Sequence, residues 1–425
     1  MILPAPRSQP IPDGALAISG RRIALLGERS AVEAQVSARR TIDAGGGLIM
    51  PGLINAHAHS AMTCFRGIAD DLPLMEWLNH YIFPAERQAD GDQVYWSTLL
   101  ACLEMIRSGT TTFCDMYLFE DRVAQAAREA GMRAMVGEVL YDFPSPHYGP
   151  LEKGFAFTEN LIQNWRGDPL ITIAVEPHAL YTCSPELLRR CRDLVERHGV
   201  PLAIHLAETR SEVEEVSRRY GRSPVHHLEE LGLLSPSLIA SHCVWLSEAE
   251  MDLLARRGVK VAHCPESNMK LASGVAPVPE LLARGVAVGL GTDGCASNNN
   301  LDLFREMDSA AKLHKVHRLD PTVMPAETVL EMATLGGARV LGMEREIGSL
   351  EVGKKADLIV LELDRPHLQP LYHLPSQLVY AACGADVRDV IIDGRPVMRD
   401  RRLLTIQEGE VLKRAREWAE RIREG

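Results

Sequence analysis

Short apolar runs alternate with helix-like stretches along most of this chain, and that recurrence limits the fold more than any other feature. The runs fall at residues 48–54, 110–114, 134–139, 171–175, 202–205, 238–242, 259–263 and 286–291. Helix-like stretches separate them, among them 121–130, 185–198, 212–220, 248–257 and 278–284. Strands that alternate with helices predict α/β architecture built as a parallel (β/α)8 TIM barrel. The gap between residues 54 and 110 is too long for a simple connection. It must hold extra helices or a functional loop.

The two ends read differently. Residues 15–26 form a hairpin pattern with Ser19-Gly20 at its turn. Residues 358–363 are an apolar strand, and 390–397 form a second hairpin turning at Asp393-Gly394. That dipeptide suits a two-residue turn with positive φ. The expected organisation is a small β-sandwich domain shared by both termini. Residues 1–52 supply its N-terminal part, 53–345 the barrel, and 346–425 the rest plus a charged terminal helix over 408–424.

Composition excludes several classes. The 425 residues are 46% hydrophobic and 24% charged, enough apolar material for a sizeable core. No apolar run is long enough for a membrane-spanning helix. The net charge of −11 disfavours nucleic acid or anionic membrane as the main partner. No signal peptide is evident at Met1-Ile2-Leu3-Pro4, and the nine Cys form no CxxC pair. These features predict reduced thiols in a cytoplasmic enzyme. The sequence leaves monomer and homo-oligomer both open.

Metal-binding side chains recur where the expected strands end, which is where barrel active sites are built. The first strand ends in Asn55-Ala56-His57-Ala58-His59. Residues two apart on a strand share a face, about 6.5 Å apart along the chain. The fifth strand ends at His205, with Glu208 following; the sixth ends at Ser241-His242; the eighth ends in Gly291-Thr292-Asp293-Gly294. Any one of these taken alone also reads as a hydrogen-bonded strand end or a helix cap. Together, three His and one Asp fit a mononuclear site with room for water. Zinc suits such nitrogen and oxygen donors, and iron or nickel would also fit.

These motifs, with Pro51-Gly52-Leu53-Ile54 before the first His pair and Cys295-Ala296-Ser297-Asn298-Asn299 after Asp293, resemble the amidohydrolase superfamily. More closely, they are similar to its 5′-methylthioadenosine/S-adenosylhomocysteine deaminases. The likeness extends through 348–361 (GSLEVGKKADLIVL), similar to the family's return to the sandwich. The resemblance implies that His57, His59, His205 and Asp293 bind one divalent metal, Zn2+ first among the candidates. It implies that Glu208 shuttles a proton to the purine ring and that His242 steers the metal-bound hydroxide. His178, in Glu176-Pro177-His178, would contact the base. Glu86, in Phe83-Pro84-Ala85-Glu86, would contact the ribose hydroxyls.

The chemistry agrees with that implication. Deamination of an aromatic amidine needs a strong nucleophile, and a metal lowers the pKa of bound water to roughly 7. Asp293 then serves as ligand and base, and Glu208 protonates the ring nitrogen as the adjacent carbon is attacked. The expected activity is an aminohydrolase giving an inosine-type product and ammonia from a small nucleoside.

Binuclear relatives within the superfamily that this chain resembles carry a Lys at the end of the fourth strand; none is present here, so the resemblance implies one metal over two. Members of the family it resembles that accept S-adenosylhomocysteine use arginines for its carboxylate; between Arg133 and Arg166 this sequence has none, only Lys153 and His147, a departure that counts against that substrate. The alternative within hydrolases is a deaminase of a free base: guanine, cytosine, a pterin or an s-triazine. A cyclic amidase and a barrel used only as a binding module are further readings. His263 is expected either behind the site or at a pocket wall, in a structural role or in contact with substrate, and Cys64, Cys243, Cys264 and Cys295 as small buried side chains.

Overall fold

The computed structural model describes residues 1–424. Its centre is two parallel sheets. In one, Leu53–His59, Thr110–Tyr117, Arg133–Leu140 and Ile171–Ile173 lie side by side in sequence order. The short strand Asp293–Gly294 joins its near edge, and Glu176–Pro177 pairs with Arg133–Leu140. In the other, Leu202–Leu206, Leu238–His242, Lys260–His263 and Val288–Leu290 lie in order, every pair parallel.

Two contacts connect the sheets. Parallel bridges Val175↔Leu202 and Ala179↔His205 join them on one side. On the other, the chain leaves Val288–Leu290 and pairs at once with the first sheet through Asp293↔Ala58 and Gly294↔His59. Glycine makes that approach possible. A Cβ on Gly291 would lie 2.9 Å from His57 Cβ, and one on Gly289 would lie 3.2 Å from Ala56 Cβ.

Helices follow the strands and are punctuated by ordinary cap chemistry. Ser184, Thr209 and Ser247 cap Pro185–His198, Arg210–Tyr220 and Glu248–Arg257, each accepting a backbone N–H. Left-handed glycines 199, 221 and 258 end the same three helices. The central strands bury both faces, the reason they read as apolar runs rather than alternating patterns.

The run 48–54 is not one strand. Leu48–Pro51 belongs to a different sheet from Leu53–His59, and the break is Gly52, where a Cβ would meet Thr111 at 2.2 Å. Leu48–Pro51 pairs antiparallel with Leu358–Leu361. It is the edge of a five-stranded sheet whose other members, Val387–Ile392, Arg395–Arg399 and Arg402–Leu403, all come from the C-terminal part. The Asp393-Gly394 turn has positive φ at both residues, as read from the sequence. The N-terminal hairpin, Gly14–Ser19 with Arg22–Glu28, stands as a separate two-stranded sheet. A small core of Ile2, Ile23, Leu350, Ala356, Leu358 and Ile391 packs beneath it. The run 171–175 is a strand only over Ile171–Ile173, and Glu176–Pro177 follows it as a separate short strand.

The long segment after the first strand holds a 3-10 turn Ser60–Phe65, helix Leu74–Trp77, a π turn Leu78–Ile82, helix Phe83–Glu86 and helix Gly91–Arg107. Trp77, Leu78, Ile82, Phe83 and Glu86 from this segment line one wall of a pocket at the strand ends.

Candidate active site

Four side chains meet at the C-terminal ends of the central strands. His205 Nε2 lies 3.2 Å from His57 Nε2 and 3.3 Å from His59 Nε2. Asp293 Oδ1 lies 3.0 Å from His59 Nε2 and 3.4 Å from His57 Nε2. Four donors held about 2.0–2.1 Å from one ion at tetrahedral angles lie roughly 3.3–3.4 Å apart. The observed spacing matches that shell.

Tautomers support the same reading. His205 Nδ1 faces the His178 carbonyl at 2.8 Å, and His59 Nδ1 faces the Met116 carbonyl. A carbonyl only accepts, so each Nδ1 carries a hydrogen, and in the neutral imidazole each Nε2 presents a lone pair. Two lone pairs facing each other across 3.3 Å repel unless a cation or a proton lies between them; burial works against a proton on His59, yet Asp293 and the Met116 carbonyl raise its pKa to about 9. Backbone carbonyls that fix ligand tautomers in this way are a regular feature of metal sites. Asp293 Oδ2 meanwhile accepts from Ser267 Oγ at 2.6 Å and Ser297 Oγ at 2.8 Å. Burial opposes charge on Asp293, but His57 and His59 outweigh it and hold the carboxyl well below its usual range.

His242 is a fifth candidate donor. One ligand atom each of His57, His205, His242 and Asp293 lie within 4.8 Å of one another. His59 fits the inner group better, because its contacts are 3.0–3.3 Å. The His242 Nδ1 instead lies 2.9 Å from Asn268 Oδ1, to which it donates. Its Nε2 is left for the pocket. Burial works against a proton on His242, yet Glu208, Asp293 and Asn268 together raise its pKa.

Glu208 and His178 line the same pocket. Burial pushes the Glu208 carboxyl up, and Ser273 Oγ donates to its Oε1 at 3.2 Å. Burial and the neighbouring His59 and His57 hold His178 neutral, with a pKa lowered to about 3. Its Nδ1 pairs with Thr182 Oγ1 at 2.9 Å. Glu86 lines the same pocket, at the end of helix Phe83–Glu86. Burial raises its pKa to about 7, against the effects of Tyr117 and His59.

The strand ends are strained where these groups project. Ala207, His242, Cys243 and Asp293 all have positive φ. Such backbone costs on the order of 1–3 kcal/mol per residue and clusters at functional sites.

Some side chains differ from expectation or were not anticipated. His263 faces His314 across 3.3 Å, away from the pocket. Cys243, Cys264 and Cys295 are buried, Cys64 is half-buried, and none lines the pocket. Burial raises all four thiols, Cys64 to about 12. Glu212 accepts from the backbone N–H of both Ala207 and Glu208, at 3.2 and 2.8 Å. Its signal in the sequence is a Glu three residues after the helix cap Thr209. Asn268, Ser267 and Ser273 sit in and beyond the 264–268 motif, where a polar cluster follows a strand end.

The amidohydrolase family model matches residues 48–397. A 5-methylthioadenosine/S-adenosylhomocysteine deaminase of Syntrophobacter fumaroxidans is 65% identical over 96% of this chain and 94% of its own length. A 5′-deoxyadenosine deaminase of Methanosarcina acetivorans is 47% identical over 98% of this chain and 95% of its own. The crystal structure of an adenosine deaminase from Xanthomonas campestris with bound zinc superposes with a TM-score of 0.96 at 43% identity, covering 97% of this chain and 94% of that one. The chain belongs to the amidohydrolase family.

Proposed function

We propose that this chain is a metal-dependent hydrolytic deaminase of adenosine-type nucleosides, giving the inosine-type product and ammonia. The observation that carries the reading is the convergence of His57, His59, His205 and Asp293 beside Glu208, His242 and His178 in one pocket. The deaminase names of the relatives, and the zinc in the Xanthomonas campestris structure, support it. Glu86 in the same pocket favours a nucleoside over a free base, because a base has no ribose hydroxyls to donate to it.

His57, His59, His205 and Asp293 would hold one divalent ion, which supplies a water acidic enough to be ionised near neutral pH. Asp293 takes a proton at its carboxylate. His242, with its hydrogen on Nδ1 toward Asn268, positions the water from its other nitrogen. Glu208 is the proton carrier: burial favours its neutral form, so it enters the reaction able to protonate the purine ring nitrogen beside the carbon under attack. His178 holds the base, and Glu86 accepts from the ribose hydroxyls.

The same reading extends to architecture. We take the two parallel sheets as one (β/α)8 barrel over residues 53–345, supported by the bridges between Val175 and Leu202 and between Asp293 and Ala58. Residues 1–52 and 346–425 make the second, β-rich unit, supported by the pairing of Leu48–Pro51 with Leu358–Leu361. The acidic balance favours a small molecule over nucleic acid as partner. No helix among the described residues is long and apolar enough to cross a membrane.

Ammonia release by zinc-loaded protein tests the activity. The panel is adenosine, 5′-methylthioadenosine, 5′-deoxyadenosine, S-adenosylhomocysteine, guanine and cytosine. Turnover of the nucleosides alone is the expected result; turnover of guanine or cytosine alone replaces this reading with the free-base one.

A further inference from the structure

The pocket continues past Glu86 as an aromatic wall. Tyr141 and Phe143 follow the strand Arg133–Leu140, and their rings stack with centroids 4.0 Å apart and planes 13° from parallel. Phe83 meets Phe143 edge-on at 6.0 Å and 64°. Tyr141 in turn stands edge-on to His178, at 6.5 Å and 83°. Phe83 and Glu86 lie three residues apart on one helix, so they share a face. The aromatic group is therefore bounded by His178 on one side and by Glu86 on the other. All five residues line the same pocket.

We infer that Phe83, Tyr141 and Phe143 form the subsite for the nucleoside's 5′-substituent and select uncharged thioether and alkyl groups over an amino-acid tail. The inference rests on the nucleoside reading, in which His178 holds the base and Glu86 the ribose. A ligand anchored at both residues presents its 5′ carbon to the aromatic surface between them. Thioether sulfur and methyl groups make favourable contacts with aromatic rings. A zwitterionic tail finds the opposite. The pocket lining contains Glu86, Glu208 and Asp293 but no Lys or Arg among the described residues. Two cations next to lining residues or the 295–299 segment are engaged elsewhere: Lys270 with Asp70 and Asn299, and Arg66 with Glu104. A carboxylate entering here loses hydration without gaining a partner. Phe143 keeps 39% of its surface exposed, which places it where the pocket opens to solvent.

The test compares kcat/KM of the metal-loaded enzyme for 5′-deoxyadenosine, 5′-methylthioadenosine, 5′-butylthioadenosine and S-adenosylhomocysteine. The last two have tails of similar length, so their ratio reads charge and not size. We expect the butylthio compound to exceed S-adenosylhomocysteine by at least about 10-fold, carried mainly by KM. Parity, or preference for S-adenosylhomocysteine, overturns the inference. In Phe143→Ala, the loss should grow with the substituent: smallest for 5′-deoxyadenosine and roughly 5- to 20-fold for the butylthio compound. An equal loss for all four removes Phe143 from the subsite. Failure to turn over any nucleoside is a different result, because it removes the nucleoside reading on which the subsite depends.

Discussion

His59 and His205 aim their Nε2 atoms at each other across 3.3 Å, while each Nδ1 is tied to a backbone carbonyl. As neutral imidazoles, neither has a hydrogen to offer the other without breaking its carbonyl bond. The pair calls for a cation or a proton between its nitrogens, and Asp293 Oδ1, 3.0 Å from His59, supplies the balancing charge.

One divalent ion per chain should follow from that arrangement. Metal analysis of purified protein should give about one equivalent, and chelation should remove activity. Because the ion relieves lone-pair repulsion and buried charge together, the chelated protein should also unfold at a lower temperature. Two equivalents, both needed for turnover, would contradict the mononuclear site. So would a chelated protein with undiminished stability and activity.

Glu208→Gln should bind metal and lose chemistry. The amide keeps the shape and the Ser273 contact but has no titrating proton. A positioned acid–base group contributes roughly 10²- to 10⁴-fold. The variant should contain the same metal and lose kcat within that range. Retention of half the turnover would assign the proton transfer elsewhere.

Glu212 is placed to act through Glu208. Its carboxylate receives the N–H groups of Ala207 and Glu208, and so pins a turn in which Ala207 has φ of 51°. Glu212→Gln leaves one oxygen to do this for two donors. We expect kcat for the nucleoside to fall about 10-fold with metal content unchanged. Stability supplies a second readout. Burial raises the Glu212 pKa from 4.5 to about 7, so the folded chain favours the protonated acid. That contribution is complete below pH of about 4.5 and is lost as pH climbs toward about 7. The stability of the parent relative to Glu212→Gln should therefore decline between pH 4.5 and 7.5 in denaturant titrations. A constant difference across that range would show that Glu212 does not titrate there.

The side chains that converge in the candidate site were readable because their spacing is local or repeats at strand ends. His57 and His59 sit two apart, and His205, His242 and Asp293 each close an apolar run. What escaped the sequence depends on contacts between distant segments. Asn268 meets His242 only because two neighbouring strands are in register. The division at Gly52 was hidden because both halves of 48–54 are equally apolar, and only the pairing of Leu48–Pro51 with residues 358–361 separates them. The aromatic group was invisible for a similar reason: Phe83 and Phe143 lie 60 positions apart in the chain.

Glu86 distinguishes a nucleoside enzyme from a free-base enzyme. A carboxylate only accepts, and it can receive both ribose hydroxyls at once. Hydrogen bonds to a charged group contribute roughly 1.5–3 kcal/mol each. Glu86→Ala should therefore lower kcat/KM for a ribonucleoside about 10- to 1,000-fold, with far less effect on its 2′,3′-dideoxy analogue. The pH dependence should carry the same signature. Burial raises Glu86 to about 7 in the unliganded chain, whereas hydroxyl donors favour the ionised form. Hence kcat/KM for the ribonucleoside should rise as pH passes through about 7, and Glu86→Gln should flatten that rise while leaving the dideoxy profile unchanged. Equal losses for both substrates would make Glu86 a support for the helix Phe83–Glu86. No loss for either, with an unaltered pH profile, would leave the ribose without its acceptor and return the free-base reading to first place.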